Sequence, residues 1–87
     1  MKLLWEESAW NDYLDIQIQD KKLLKRINLL IKDICRNNLF GLGKPEILTG
    51  NLSGYYSRRV DEKNRIVYKM EKDYILIIAC KGHYLDK

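Results

Sequence analysis

At 87 residues, 46% of them apolar, the chain has material for one domain across residues 1–87 and is too apolar to be disordered. Sixteen Lys and Arg against twelve Asp and Glu leave a net charge of +4, a modest tilt toward a polyanion or an acidic protein partner. Two cysteines and one histidine cannot close a four-ligand zinc site, and no apolar run approaches the roughly 18–20 residues of a membrane span.

Residues 1–5 are short and apolar and suit a first strand. Glu6 and Glu7 then bring acid where a secretory signal would need its apolar stretch, which points to the cytoplasm. Residues 8–19 read as a helix with a weak start signal, with Trp10, Tyr13, Leu14 and Ile18 roughly on one side. The next helix is clearer. Asp20 is its N-cap, and Leu23, Leu24, Ile27, Leu30, Ile31 and Ile34 follow the spacing of one face. At about 100° per residue, Lys21, Lys25, Lys32 and Arg36 fall on the opposite side, where they form either a plain solvated face or a stripe along nucleic-acid phosphate. Leu29 falls near that basic side.

After Asn37-Asn38 and Gly41-Leu42-Gly43 the chain changes period. Residues 44–49, 55–60, 65–70 and 74–81 are short runs rich in aromatic and β-branched residues, separated by turn residues. Cys35 and Cys80 sit among apolar neighbours and read as small buried hydrophobes. Short links favour antiparallel neighbours, so the expected fold is α+β, with two N-terminal helices packed on one face of a mainly antiparallel sheet. Alternation puts one arginine of Arg58-Arg59 on each side of its strand, and sets Arg65 and Lys69 opposite Ile66, Tyr68 and Met70. A sheet face with arginine, lysine and tyrosine suits RNA, since cations hold phosphate and rings stack on bases.

RNA cleavage needs no metal, because the substrate supplies its own nucleophile, the 2′-hydroxyl. The protein must remove that proton, offset charge on the phosphate, and protonate the departing 5′-oxygen. Glu46 as base, Arg59 and Arg65 as phosphate contacts and His83 as acid meet those needs. Neither Ser53 nor Ser57 lies in a nucleophile-elbow pattern, and Gly41-Leu42-Gly43 lacks the Lys-Ser/Thr sequel of a phosphate-binding loop.

The same residues carry a family resemblance. Lys2-Leu3-Leu4-Trp5, Asp12-Tyr13-Leu14, Gly43-Lys44-Pro45-Glu46, Asn51-Leu52-Ser53-Gly54, Ser57-Arg58-Arg59, Arg65-Ile66-Val67-Tyr68 and His83-Tyr84 run in order over nearly the whole chain. In this the chain resembles the YoeB/Txe group of bacterial toxins within the RelE-like superfamily. The resemblance implies a microbial-ribonuclease-like fold and a ribosome-dependent endoribonuclease that cuts mRNA in the A site without cofactor or metal. It also implies neutralisation by a YefM/Axe-like antitoxin, a toxin homodimer, and contact with DNA only through the antitoxin complex. Carried over by position, Glu46 is the general base, His83 the general acid, Arg59 and Arg65 the transition-state contacts, and Tyr84 a substrate-orienting residue. Lys44, Arg58 and Lys69 are the expected RNA contacts. Thr49 stands where the family often has lysine, which leaves Lys44 or Lys69 to replace that contact, and residues 85–87 continue past Tyr84.

Two other classes fit the same fold: a module that occupies a target such as gyrase without chemistry, and a subunit of a DNA-bound autorepressor. Neither needs the Glu46–His83 pair.

Overall fold

The computed structural model describes residues 1–37 and 39–82. Strand β1 (Lys2–Trp5) leads into helices α1 (Glu7–Gln19) and α2 (Lys21–Asn37), followed by β2 (Glu46–Ile47), β3 (Tyr55–Arg59), β4 (Arg65–Met70) and β5 (Tyr74–Ala79). The sheet runs in the order β1-β5-β4-β3-β2. Among the described residues only the β1–β5 pair is parallel; the other pairs form an antiparallel meander. This is the expected α+β arrangement. No helix among the described residues is long and apolar enough to cross a membrane.

Both helices cover one sheet face. Ile27, Leu30, Ile31 and Ile34 of α2 pack with Ala9 and Ile16 of α1 on Ile66, Tyr68, Ile75 and Ile77. The Asp20 carboxylate accepts the Leu23 amide proton at 3.0 Å, so the cap of α2 is the one the sequence indicates. For α1 the expected face needs correcting. Ala9 and Ile16 are buried, with Tyr13 partly so, whereas Ile18 is 83% exposed and Trp10 and Leu14 are also in solvent. The aromatic residues pack laterally instead: Trp5, Trp10 and Tyr13 form a cluster with ring centroids 4.9–5.7 Å apart. The Tyr13 hydroxyl, 2.6 Å from Asn28 Oδ1, ties α1 to α2.

Two strands differ from their sequence reading. β2 is two residues long, not residues 44–49, because Lys44 adopts a left-handed φ of 50° and Pro45 has no N–H to pair. In β5 the pairing steps from Tyr68↔Ile77 to Val67↔Ala79, so Ile78 is a bulge. Beyond it the parity of the strand reverses: Ile78 and Ala79 both lie on the open face, and Cys80 returns to the helix side. There its thiol approaches the Ala9 carbonyl at 3.6 Å, and burial pushes its pKa up to about 12. Cys35 is only half-buried, so one of the two cysteines departs from expectation.

Arg58 falls on the helix side of β3 and is completely buried. Its guanidinium pairs with the Asp33 carboxylate of α2. It also donates to the carbonyls of Phe40 (2.7 Å) and Leu42 (3.1 Å), and to the Tyr68 hydroxyl (3.2 Å). This corrects the expectation that Arg58 contacts RNA: all of its donors face inward, because the pairing Arg59↔Arg65 gives the open face to the other arginine. The Leu42 amide, followed by Arg58, holds the Asp33 carboxyl below the usual carboxylate range.

Asp33→Ala strands a buried guanidinium without its counter-charge, and a fall in Tm of more than about 10 °C is expected by circular dichroism. Because the folded Asp33 pKa is lowered from 3.8, the wild-type contribution is complete above that pH and disappears as pH falls through the folded value. The wild-type acid limb should therefore be steeper than that of Asp33→Asn. At the alkaline end an unfolded thiol ionises near 9.0 while Cys80 keeps its proton to about 12, so stability falls across that interval. Cys80→Ala flattens that limb in urea titrations, and thiol reagents label folded protein at Cys35 first.

Candidate functional site

The open sheet face carries the site residues, and register explains how they meet. Glu46 of β2 lies directly opposite Ser57 of β3, Ser57 opposite Val67 of β4, and Arg59 opposite Arg65. Arg65 is thus the diagonal neighbour of Ser57, two residues along its strand from Val67. Its Nη1 donates to Ser57 Oγ at 3.1 Å and to Glu46 Oε2 at 3.2 Å. Ser57 is buried beneath this contact, and Val67, Ile78, Ala79 and Leu48 form an apolar floor. The carboxylate is half in solvent, at 51% side-chain exposure against 16% for Arg65. This exposure, beside a better-fixed cation, leaves Glu46 within reach of a substrate hydroxyl while the cation stays in place.

Along the same face Tyr55 lies opposite Lys69. The Lys69 ammonium stands 5.8 Å from the Tyr55 ring centroid and 3.2 Å from Glu71 Oε1. The hydrogen bond that Lys69 donates to the Glu71 carboxylate is the main cause of its raised pKa, so the lysine is held charged. From Arg65 to Lys69 the face spans about 13 Å at the usual strand rise. Arg59 and Lys44 are exposed at its margin.

The loop before β2 sets where Glu46 stands. Gly43 has φ +81°, and a Cβ there would sit 2.8 Å from the Arg59 carbonyl and 2.9 Å from Leu30 Cδ2. Its own carbonyl accepts the Arg59 amide proton at 2.6 Å. Gly41, also left-handed, lies against Asp33. The two glycines therefore let the chain cross between α2 and β3 and deliver Lys44-Pro45-Glu46 to the sheet edge.

At the opposite side, Gly82 approaches Arg65. The Arg65 amide donates to the Gly82 carbonyl at 3.2 Å. His83 and Tyr84 lie outside the described residues. Sequence reasoning missed Ser57 as the support of Arg65, although a serine opposite Glu46 becomes a predictable partner once the hairpin register is known.

The remaining charge is concentrated elsewhere. Helix α2 holds Lys21, Lys22, Lys25, Arg26, Lys32 and Arg36, six of the sixteen Lys and Arg, against Asp33 alone. Shallow hollows run along it, lined by Lys22, Lys25, Arg26 and Leu29. This surface is on the reverse of the molecule from Glu46 and Arg65.

The profile of the YoeB-like toxins of bacterial type II toxin–antitoxin systems matches residues 5–84. The chain belongs to the YoeB toxin family. It is 55% identical over 84 residues to Toxin YoeB of Synechocystis sp., covering 97% of this chain and 98% of that one. To Toxin YoeB of Escherichia coli K12 it is 52% identical, covering 97% and 100%. Among solved structures it resembles a YoeB/ParE toxin from Agrobacterium tumefaciens, with TM-score 0.93, 41% identity, and 97% and 100% coverage. It also resembles a chain of the heterotetrameric YoeB–YefM toxin–antitoxin complex from Staphylococcus aureus, with TM-score 0.90, 46% identity, and 97% and 98% coverage. E. coli YafQ, only 16% identical at TM-score 0.80, shares the fold.

The Glu46 carboxylate is half in solvent and Arg65 keeps its bond to Ser57, so Glu46→Ala should change urea stability by less than about 1 kcal/mol. Gly43→Ala, which meets backbone in a left-handed conformation, should cost about 1–3 kcal/mol. A large effect of Glu46→Ala would show that the pair is a structural strut.

Proposed function

We propose that this YoeB-family toxin is a ribosome-dependent endoribonuclease that cuts mRNA in the A site by acid–base chemistry of its own side chains. The observation that carries this reading is the grouping of Glu46, Ser57 and Arg65 on an open sheet face, with Gly82, next in sequence to His83, bonded to Arg65.

Glu46 takes the proton of the 2′-hydroxyl, whose oxygen attacks the adjacent phosphorus. The new O2′–P bond forms as the P–O5′ bond breaks. Arg65, with Arg59 beside it, offsets the charge that builds on the non-bridging oxygens. His83 gives its proton to the leaving 5′-oxygen, and Tyr84 orients the phosphate. Lys69 with Tyr55, and Lys44 at the margin, hold the flanking message by charge and stacking. The basic side of α2 faces away from this chemistry and suits the phosphate backbone of ribosomal RNA. A YefM-like antitoxin and a second copy of the chain are the expected protein partners. Exposed Ile18, Phe40 and Ile47 are apolar surface of the kind such partners cover.

Primer extension on message in a translating extract tests the reading. Wild type is expected to produce cuts within the A-site codon. His83→Ala and Glu46→Ala, each folded by thermal melt, should lower the cutting rate by about 10²–10⁴, and Arg65→Ala should do likewise. Undiminished cutting by both acid–base variants would overturn the assignment. Intact messages combined with inhibited supercoiling would favour a non-cutting target binder.

A further inference from the structure

The turn between β3 and β4 does more than reverse the chain. Asp61 Oδ1 accepts the amide protons of Lys63 and Asn64, both at 2.8 Å. The Asn64 side-chain amide donates to the same carboxylate, at 3.1 Å to Oδ1 and 3.3 Å to Oδ2. With its NH2 group so directed, Asn64 presents Oδ1 outward, where it accepts the Gly82 amide proton at 2.9 Å. The next residue's backbone, Arg65 N–H, donates to the Gly82 carbonyl at 3.2 Å. Gly82 is therefore held at both its N–H and its C=O, by two consecutive residues, one of which carries the cation of the site.

We propose that Asn64, oriented by Asp61, is a positioning residue that fixes the backbone of Gly82, the residue before His83 in sequence. This rests on the reading of His83 as proton donor. Its support is local geometry: β5 ends at Ala79, three residues before Gly82, so the sheet ladder no longer fixes the chain there. Gly82 has φ +82°, and a Cβ there would meet nothing within 4 Å, so that side of the residue is open. The hydrogen bonds to Asn64 and Arg65 tie its backbone to the β3–β4 turn. Burial pushes the Asp61 carboxyl up, yet the Lys63 and Asn64 amides outweigh this and hold it below the usual range, so the orienting group stays ionised at neutral pH.

The test is single-turnover cleavage on ribosomes programmed with a short message carrying either oxygen or sulfur at the scissile 5′-bridging position. The codon is the one primer extension identifies. A thiolate leaves without protonation, so sulfur replaces the proton donor. Asn64→Ala should slow the oxygen message about 10- to 100-fold, leave half-saturation unchanged, and cut the sulfur message at close to the wild-type rate. Asn64→Asp keeps the acceptor for Gly82 while opposing Asp61. It should show a smaller loss, again relieved by sulfur, and it serves if Asn64→Ala does not fold. Equal loss on both messages, or no loss on either, overturns the proposal. His83→Ala separates the two ideas: if sulfur does not rescue it, the proton-donor reading of His83 fails. In that case Asn64→Ala is decided by its own rescue, which would place the donor elsewhere on the segment that Gly82 leads into, and its absence would end the proposal.

Discussion

The buried contact between Arg58 and Asp33 is the constraint on which the site depends. A guanidinium inside a core costs several kcal/mol unless its charge and donors are met. Here a carboxylate, two loop carbonyls and a tyrosine hydroxyl meet them. The partners come from α2, the loop after it, and β4, so the hydrogen-bond geometry of one side chain fixes where three pieces of chain lie. The loop carbonyls belong to Phe40 and Leu42, four to six residues before Glu46. The position of the proposed base at the sheet edge is thus set from beneath the sheet, by a residue with no access to substrate.

That arrangement explains the neighbouring motifs. Ser57-Arg58-Arg59 supplies, in three consecutive residues, the support of Arg65, the buried anchor and a surface cation. Strand alternation sends the middle one inward and the outer two to the open face. Gly41 and Gly43 serve the same anchor: side chains at either position would collide with Asp33 or with the backbone of Arg59. Residues that look like one basic cluster in sequence therefore divide between the buried core and the open face.

The helices, the meander and the alternation of β4 were legible because each rests on periodicity within one segment. What was not legible depends on contacts between segments. Nothing in Arg58-Arg59 says which arginine turns inward until the partner of Asp33 is known. The bulge at Ile78 depends on pairing with Val67 and Tyr68, and it alone puts Cys80 on the helix side. The exposure of Ile18 depends on which side of α1 the rest of the fold covers, that of Ala9 and Ile16 rather than that of Leu14 and Ile18. Glu46 and Arg65 could be named from chemistry and resemblance, but their meeting at Ser57 needed the register of two strand pairs.

Arg65 joins these levels. Its side chain binds the proposed base and the serine beneath it, while its backbone N–H binds the segment that leads to the proposed acid. It occupies the start of β4, the strand flanked by β3 and β5, whereas Glu46 stands on a two-residue edge strand and Gly82 lies beyond the last strand. Short edges and chain ends open more readily than a paired interior strand. Glu46 and Gly82, both outside the well-paired strands, are thus each bonded to one residue of an interior strand. A displacement of the β3–β4 turn would move the cation and Gly82 together. Losing Asn64 would leave the cation in place and release only one of the two hydrogen bonds on that segment.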